Sequence, residues 1–463
     1  MAEPIVLKDT ILLLDSYSQN AIRLHESFLR AGCSCSVVVL EEDPFLPEGV
    51  MSVYDLFLGY FQEEGRQLGK PRFFNEIPVP DHWSIHAGVG EADYGRITCQ
   101  HEEKGRIYYW ESPKKWLVKT VDWLDRRGGV RFRDHYNRYG AVYARTCYDD
   151  QGRELGRTWL TAAGQEAIVE NAVTGDLIVN DKEMVKFFRH KRDMMLYFLN
   201  RAGAGRRQIC YNSLGDPFWI SGRLDPSSKR DILFWQEAVE EGIPESMQGI
   251  LEGRAPRTGK VLLQKRGAYD SLAGLGAYGA RAGKLGYIYG FKKENGHGSE
   301  ALICTNSERI EHCEELIRAF PEMHFHIAAV TLMSPKLMSL DAYSNVSLYP
   351  CVQQPVLDKL FLCCDYYFDI NHWTEIVSAV YQAFLHKQLI FAFSETIHNR
   401  EYVADAHVYP VGEFDRMVSD VKEVMEDGEA LERHLRLQLE DAMAEEGQAY
   451  LEALCCGGRA RQI

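Results

Sequence analysis

Five glycines at nearly equal spacing mark the stretch from Trp116 to Val179. With steps of twelve, twelve, twelve and eleven residues, they are Gly128, Gly140, Gly152, Gly164 and Gly175. The first four each close a four-residue pattern that opens with Asp, Asn or Thr, which is typical of a type I turn leading into a glycine with positive φ. The segments between them are rich in Val, Tyr, Phe, Thr and Trp. Short β-rich segments at this spacing predict an antiparallel meander.

Composition narrows the class of protein. At 463 residues the chain has room for about three domains. Its 46% hydrophobic and 26% charged residues are typical of a globular protein. The net charge of −15 disfavours nucleic-acid binding, which needs a basic surface. The segment 102–157 differs, with 13 Lys and Arg against 9 Asp and Glu, so we expect a basic sheet on an acidic body.

The cysteine pattern and the hydropathy indicate a compartment. Twelve cysteines without a C-x-x-C pair predict reduced thiols rather than a disulfide framework or a zinc site. No apolar run approaches the roughly 18 residues that a membrane span needs, and no signal-peptide pattern is present. We therefore expect a cytoplasmic protein with no metal ion.

The segments on either side of the meander have an α/β pattern. Residues 10–40 give strand, helix and strand, and from 301 onward short apolar runs alternate with helical segments, which predicts parallel sheets. The turn after the first strand, Asp15-Ser-Tyr-Ser-Gln19, contains no glycine, so the usual backbone cradle for a phosphate is missing. The segment 428–448 is predicted as an acidic helix without a core stripe of its own.

A basic segment, 182–200, is predicted as one amphipathic helix. Met184, Phe188, Met195 and Leu199 recur at helical spacing, with Lys and Arg on the other faces. The pattern is typical both of a helix on a membrane surface and of a crossover helix that returns the chain to its sheet. We favour the crossover helix, and weak contact with a membrane surface stays open.

Together these patterns predict an α/β protein with two Rossmann-type domains and an inserted antiparallel β-meander domain. Residues 1–65 are the first part of the first Rossmann-like domain, and 66–181 are the inserted domain. Residues 182–283 are the second part of the first domain, ending in a glycine-rich hinge over 274–283. Residues 284–463 are the second Rossmann-like domain with a closing C-terminal helix.

Several short motifs fall in one order along the chain: Phe74-Asn-Glu-Ile-Pro-Val-Pro80, Val121-Asp-Trp-Leu-Asp125, Asp134-His-Tyr-Asn137, Leu233-Phe-Trp-Gln-Glu237 and Asp369-Ile-Asn-His372. In that order, and over nearly its whole length, the chain resembles the stabilising, or chaperone, subunit of the accessory Sec glycosyltransferase. That two-subunit enzyme of Gram-positive bacteria adds N-acetylglucosamine to Ser and Thr of serine-rich-repeat adhesins before export.

The resemblance implies a GT-B-like fold without catalytic residues or a bound cofactor. It implies a catalytic glycosyltransferase subunit as partner, in a heterotetramer with two copies of each subunit, and a Ser/Thr-rich adhesin as acceptor. It also implies that the inserted sheet carries the main contact with the partner. Such a complex would work in the cytoplasm, peripherally at the inner face of the cell membrane.

The region that would bind a sugar donor departs from the pattern of active enzymes of this fold. Those enzymes commonly anchor the donor sugar through a Glu of an E-x₇-E pattern. Here Glu375 is followed by no second Glu until Glu395, and the position near Tyr381 is apolar. Arg309 lies near enough to leave a basic partner for a diphosphate open. We therefore expect a silent donor site, with an active retaining glycosyltransferase as the alternative.

Polar and aromatic residues at predicted strand ends form the candidate acceptor site, because ligands of open α/β sheets bind at that edge. The candidates are Trp235, Gln236, Glu237, Asp369, Asn371, His372 and Glu375. For Trp235 and Glu237 the competing interpretation is packing at the sheet edge, and for Asp369, His372 and Glu375 it is helix capping. A metal site formed by Asp369, His372 and Glu375 is not favoured. A scaffold that binds no acceptor is a third hypothesis, and it predicts a cleft closed by side chains.

Overall fold

The computed structural model of the protein describes residues 7–60, 69–88, 93–111, 116–181, 184–224, 230–237, 242–274 and 279–455. These residues form two sheets of parallel strands and one antiparallel sheet. The predicted fold class, α/β with two Rossmann-type domains and an inserted meander, is confirmed.

The chain opens with the β-α-β pattern that its apolar runs predict. The elements in order are β1 (Thr10–Leu14), α1 (Gln19–Arg30), β2 (Cys35–Val39), β3 (Val50–Ser52) and α2 (Val53–Leu58). Ser18 caps α1 by accepting the Ala21 N–H, and Ser52 and Asp55 form a capping box at the start of α2. The chain then leaves this sheet for the insertion.

Within the described residues, ten strands form the inserted sheet, and each pairs antiparallel with the next along the chain. They are β4 (Trp83–His86), β5 (Gly95–Cys99), β6 (Glu102–Tyr109), β7 (Val118–Leu124), β8 (Val130–Tyr136), β9 (Val142–Tyr148), β10 (Glu154–Leu160), β11 (Glu166–Asn171), β12 (Leu177–Asp181) and β13 (Met184–Phe188). All five evenly spaced glycines lie in turns between strands with φ between 74° and 81°. The predicted meander and its turn chemistry are confirmed.

Two of these glycines allow a matched test of what the turns require. A Cβ at Gly140 would lie 2.4 Å from the Lys70 carbonyl oxygen, whereas a Cβ at Gly152 would meet open space, and both residues have positive φ. We expect Gly152→Ala to lower the free energy of unfolding by about 1 kcal/mol from strain alone. Gly140→Ala adds a backbone clash and should cost about 3 kcal/mol. Urea unfolding of both variants measures the difference, and equal losses would contradict the role assigned to the Lys70 contact.

The helix predicted over 182–200 is wrong in its first half. Met184–Phe188 forms β13 and pairs with β12, so it belongs to the antiparallel sheet. The helix α3 (Lys191–Arg201) begins only at Lys191, and its apolar side chains Met194 and Phe198 are buried. This burial favours the crossover interpretation over a helix on a membrane surface. Among the described residues, no helix combines the length and hydropathy needed to cross a bilayer.

After α3 the chain rejoins the first parallel sheet. The elements are β14 (Gln208–Tyr211), α4 (Asp216–Ser221), β15 (Asp231–Trp235), α5 (Glu245–Leu251), β16 (Thr258–Leu263), α6 (Arg266–Gly274) and β17 (Ala282–Lys284). The strand order is β17-β16-β15-β14-β1-β2-β3. Of the predicted hinge over 274–283, residues 275–278 lie outside the described residues.

The second parallel sheet follows the same doubly wound logic, with the order β20-β19-β18-β21-β22-β23. Its elements are β18 (Glu300–Cys304), α7 (Cys313–Ala319), β19 (His324–Ala328), α8 (Pro335–Met338), β20 (Val346–Tyr349), α9 (Gln354–Cys363), β21 (Tyr366–Asp369), α10 (Ala379–Leu385), β22 (Leu389–Phe393), β23 (Val408–Tyr409) and α11 (Phe414–Glu426). The apolar runs at 301–304, 325–330, 346–349, 366–370 and 389–393 predict five of these strands to within two residues, whereas β23 is not predicted.

Two further helices close the fold, α12 (Gly428–Asp441) and α13 (Gly447–Cys455). The prediction that 428–448 lacks a core stripe is wrong, because Ala430 and Leu431 are buried and the Gln438 amide bonds the backbone around β22. In α13, Tyr450 is fully buried and packs its ring against Phe28 of the first Rossmann-like domain. The helix α13 therefore packs the second Rossmann-like domain against the first.

The inserted sheet shares a hydrophobic core with the first Rossmann-like domain. Trp159 of β10 is fully buried, stacks on Tyr54 of α2 with ring centroids 5.6 Å apart, and donates its indole N–H to Glu42. Ile168 of the sheet and Phe198 of α3 belong to the same buried cluster. The inserted sheet therefore packs directly against the first Rossmann-like domain and is not a separate unit joined only by a linker.

A buried ion pair joins β14, β15 and β16 of the first parallel sheet. It lies at the amino ends of these strands, on the side away from the cleft between the two parallel sheets. Asp231 and Arg257 are 0% and 1% exposed, and the guanidinium reaches both carboxylate oxygens at 2.8 and 3.1 Å. Arg257 also donates to the carbonyls of Gly205 and Arg207, while Ser221 donates to Asp231. Every charge in the pair thus has hydrogen-bond partners, which a buried pair needs to be tolerated.

Candidate functional site

The carboxyl ends of the central strands bring the predicted site residues to the cleft between the two parallel sheets. On one side β15 ends at Trp235, and on the other β21 ends at Asp369. This edge is where open α/β sheets bind ligands. The residues that follow each strand differ strongly in exposure, and exposure decides which of them can touch a ligand.

Trp235 is not available as a stacking surface. Its ring is only 3% exposed and lies in the hydrophobic cluster shared by the first sheet and the insertion. All five residues of β15 are buried, so both faces of this strand are covered and its last side chain lies in the core. The competing interpretation, packing at the sheet edge, therefore describes Trp235, and its role in acceptor binding is withdrawn.

Gln236 forms the floor of the cleft and is itself buried. Its amide nitrogen lies 3.0 Å from the Asn20 carbonyl, 2.9 Å from the Gln264 side-chain oxygen and 3.2 Å from the Tyr287 hydroxyl. Gln264 in turn donates to the Tyr450 hydroxyl. This network connects the first sheet to the segment after β17 and to α13. Gln236 therefore stabilises the contact between the two Rossmann-like domains. Glu237, the next residue, is exposed.

Asp369 is fully buried and positions a histidine that the sequence analysis missed. Its carboxylate accepts from the backbone N–H of His398 at 2.7 Å and from the ring Nδ1 of His398 at 2.6 Å. The hydrogen bond to Asp369 raises the pKa of His398. The other ring nitrogen, Nε2, lies 2.9 Å from the Trp373 carbonyl oxygen. Because both nitrogens are engaged, the pair fixes the loop after β21 rather than offering a free base.

Asn371 and His372 belong to the same loop. Asn371 is buried, and its amide bonds the His372 carbonyl. His372 is partly exposed, and its Nε2 lies 2.8 Å from a carboxylate oxygen of Glu311, a partner that spacing alone does not reveal. Arg309 is exposed, and its backbone carbonyl accepts the His372 N–H. His372 and Glu311 are thus a polar pair on the cleft wall.

Glu375 acts as a helix cap. Its carboxylate accepts the Val380 N–H at 2.8 Å at the start of α10. Burial, reinforced by the charge of Asp369, raises the pKa of Glu375. The capping interpretation therefore describes Glu375, and the structure does not gather Asp369, His372 and Glu375 around a common metal position.

The exposed aromatic residue of this wall is Trp373, which the sequence analysis passed over. Trp373 is 75% exposed and has a φ of 87°. A non-glycine residue at positive φ is uncommon and is held in place by its surroundings. Here the Trp373 carbonyl is fixed by His398, so the indole is presented outward from a restrained loop. Its neighbours Val377 and Ser378 also have positive φ.

The position at which the donor-sugar Glu was expected is covered by a side chain from the opposite domain. The guanidinium of Arg23 in α1 lies 4.7 Å from the ring centre of Tyr381 and 5.3 Å from that of Tyr402. Its Nη1 lies 3.3 Å from Glu401. Cation–π contacts and the carboxylate stabilise this partly buried charge, although its Nε has no hydrogen-bond partner among the described residues. Glu395, the next Glu along the chain, instead bonds Ser394 and the Val411 N–H.

Two Rossmann-like domains with an inserted antiparallel meander define a glycosyltransferase-like protein. Family models agree along the chain. The GtfB N-terminal domain matches residues 11–57, the GtfB middle domain 83–189, the GtfB third domain 191–275 and the GftB/GlyA-F C-terminal domain 301–438. The chain belongs to the GtfB family.

Curated relatives support this membership over nearly their full length. The UDP-N-acetylglucosamine–peptide N-acetylglucosaminyltransferase stabilizing protein GtfB of Streptococcus gordonii is 37% identical, over 90% of this chain and 91% of the relative. The protein of the same name from Streptococcus agalactiae is 38% identical, over 86% and 89%. The relatives are named as stabilizing proteins of a transferase, and this chain is accordingly a non-catalytic member.

Solved structures give the same result for the fold. A chain of a GtfA/B complex bound to UDP and GlcNAc matches with a TM-score of 0.76 and 36% identity, over 96% of this chain and 99% of that one. A chain of an accessory secretory protein 1, 2 and 3 structure from Streptococcus pneumoniae has a TM-score of 0.66 at 10% identity, which supports the fold alone.

Proposed function

We propose that this chain is the non-catalytic subunit of a two-subunit peptide N-acetylglucosaminyltransferase. It stabilises the catalytic subunit and holds the Ser/Thr-rich polypeptide of a serine-rich-repeat adhesin. The observation that carries the proposal is the Arg23 contact with Tyr381 and Tyr402, which occupies the place where a donor sugar would need a carboxylate. The complex is a cytoplasmic heterotetramer with two copies of each subunit, peripheral at the inner face of the membrane.

The inserted sheet offers a surface suited to the catalytic subunit. On one face of β12 and β13, Ile178 lies directly opposite Phe187, and Val185 follows two residues away. These side chains are 40%, 60% and 71% exposed, and we call them the β13 patch. Val185 and Phe187 lie on the edge strand β13, and Ile178 lies on its neighbour β12. At a sheet edge, unpaired backbone groups and apolar side chains favour association with another chain. We assign the β13 patch to the interface with the catalytic subunit.

The acceptor site lies on the wall formed by the loop after β21. A Ser/Thr-rich polypeptide has few apolar anchors, so its binder needs many weak polar contacts and some flat aromatic surface. Trp373 supplies the exposed ring, while His372 with Glu311, and Glu237 across the cleft, supply polar groups. Asp369, Asn371 and Glu375 support this wall from behind and Gln236 supports the floor of the cleft, since their polar atoms are used within the protein.

Replacing Trp373 with Ala should weaken binding of an unmodified serine-rich peptide by about 5- to 30-fold, because one aromatic contact contributes about 1–2 kcal/mol in a polar site. His372→Ala should give a smaller loss in the same direction. Fluorescence anisotropy of a labelled peptide with the assembled complex measures both affinities.

Trp116→Ala is the matched control for this experiment. Trp116 is also an exposed Trp at positive φ, but it lies in the inserted domain. It should leave the peptide affinity unchanged, and binding of the catalytic subunit should be unchanged in both Trp373→Ala and His372→Ala. Wild-type affinity in these two variants would move the acceptor site out of this cleft and favour the scaffold hypothesis.

A further inference from the structure

A cluster of sulfur and nitrogen atoms lies on the second parallel sheet, away from the cleft. The sulfur atoms of Cys363 and Cys364 and a ring nitrogen of His326 all lie within 4.8 Å of one another. His326 belongs to β19, and the two cysteines lie at the end of α9, which packs on the same face of the sheet. Sequence spacing does not predict this cluster, because the histidine comes from a different element.

The backbone explains how two consecutive cysteines turn their sulfur atoms to one side. The helix α9 ends at Cys363, and Cys364 adopts extended backbone with φ −81° and ψ 143°. The two Sγ atoms are 3.8 Å apart. Two thiolates on a tetrahedral zinc ion, with Zn–S bonds of about 2.3 Å, are separated by about 3.8 Å. The cysteine pair thus already has the spacing of two corners of a tetrahedral site.

His326 is oriented in the way that metal-binding histidines usually are. Its Nε2 lies 2.7 Å from a carboxylate oxygen of Glu300, and its Nδ1 lies 2.9 Å from the Tyr349 hydroxyl. A carboxylate on one ring nitrogen fixes the tautomer and makes the other nitrogen a better ligand. With Nε2 held by Glu300, a cation at Nδ1 would displace the Tyr349 hydroxyl, which now bonds that nitrogen at 2.9 Å. The displaced hydroxyl or a water molecule would then take the fourth position.

The charge and the burial around the three side chains favour a divalent cation such as zinc. The cluster lies at the carboxyl end of the ten-residue helix α9, where the helix dipole is negative. Cys364 is fully buried, whereas Cys363 is exposed. An ion could therefore enter from the Cys363 side and would be shielded from water on the Cys364 side. Two thiolates and a neutral imidazole balance a doubly charged ion, and thiolate with imidazole selects zinc over magnesium or calcium.

We propose that His326, Cys363 and Cys364 form a binding site for a zinc-class divalent cation, with Glu300 as the carboxylate that orients His326. The ion would pin the end of α9 to β19 and to β20 through Tyr349. This site lies outside the acceptor wall and the β13 patch, so it is independent of the proposed function.

The test uses the purified full-length chain, stripped with a chelator and then loaded with Co²⁺ as a spectroscopic substitute for zinc. We expect one ion per chain, with the intense sulfur-to-cobalt charge-transfer absorption and the visible bands of a tetrahedral site. Zn²⁺ should displace Co²⁺ and raise the Tm. The variants Cys363→Ser and His326→Gln should each weaken binding at least 100-fold. Glu300→Gln should weaken it by about 10- to 100-fold, as expected for an orienting partner.

Cys351→Ser is the matched control, since Cys351 is exposed and lies just after β20 but outside the cluster. It should bind Co²⁺ like the wild type. Circular dichroism of the metal-free variants checks that each is folded, and Cys363→Ser is informative because its side chain is exposed. Absence of the charge-transfer band in the wild type, or full binding by His326→Gln, would overturn the proposal.

Discussion

Replacing Val185 and Phe187 together with Asp is expected to abolish co-purification of this chain with its catalytic subunit. In the free chain both side chains point to solvent, so the substitutions leave the fold intact. In the complex each carboxylate would be buried against an apolar surface, and that desolvation should cost about 3 kcal/mol or more, equivalent to about a 100-fold weaker complex. Co-expression followed by affinity capture and size-exclusion chromatography measures the loss.

Leu332→Asp is the matched control, because Leu332 is 84% exposed on the second Rossmann-like domain and lies outside the β13 patch. It should leave assembly unchanged. A double Asp variant that still assembles with wild-type affinity would place the interface elsewhere on the chain.

Substitution is a sharper test of the interface than removing the inserted sheet. Trp159 and Ile168 share a core with Tyr54 and Phe198, so a deletion would expose large apolar side chains of the first Rossmann-like domain. Loss of the partner in such a variant would not distinguish a missing interface from a damaged host domain.

Replacing Asp231 with Ala should destabilise the first Rossmann-like domain by about 3–5 kcal/mol. The loss is large because the Arg257 guanidinium, 1% exposed, would remain buried without its counter-charge. The Asp231→Ala substitution would also remove the carboxylate that accepts hydrogen bonds from the Ile209 N–H and the Ser221 hydroxyl. Chemical denaturation followed by tryptophan fluorescence measures the change in the free energy of unfolding.

Two further variants test whether the destabilisation comes from leaving a buried charge unpaired. One removes both charges of the buried pair, and the other breaks an exposed ion pair. The double substitution Asp231→Leu with Arg257→Met removes both charges and should cost less than Asp231→Ala alone. Glu423→Ala breaks an ion pair with Arg433 in which both side chains are about half exposed, and it should cost at most about 1 kcal/mol. Equal losses for Asp231→Ala and Glu423→Ala would contradict the importance given to burial.

Local chemistry made most of the fold predictable. The turn glycines of the meander were visible because each hairpin needs a residue at positive φ, a demand that few other residues meet. The second parallel sheet was visible because its strands are continuous apolar runs separated by helical spacing. The strand β13 was missed because Met184 and Phe188 also satisfy a helical period, and its pairing with β12 outweighed that pattern.

The site was less predictable, because it depends on side-chain direction and on contacts between distant segments. Trp235 and Trp373 both follow the strand-end pattern, but Trp235 still belongs to β15, whose residues are all buried. Trp373 lies in the loop after β21 at positive φ and is exposed. The meeting of Arg23 with Tyr381 and Tyr402 joins residues more than 350 positions apart, and no local signal announces it. Spacing therefore located the cleft edge, while the structure determined which of its side chains are exposed and which are buried.

The insertion also dictates the order in which this chain acquires structure during synthesis. In the first sheet, Thr10 of β1 pairs with Gln208 of β14, about 200 residues later. The ten strands between them pair only with their sequence neighbours, so they can fold as they leave the ribosome, while β1 to β3 wait for the rest of their sheet. Until β14 is made, the hydrogen-bonding edge of β1 that faces away from β2 has no partner strand. A nascent chain stalled before residue 208 should therefore bind chaperones through its first 60 residues, even though the meander behind them is already complete.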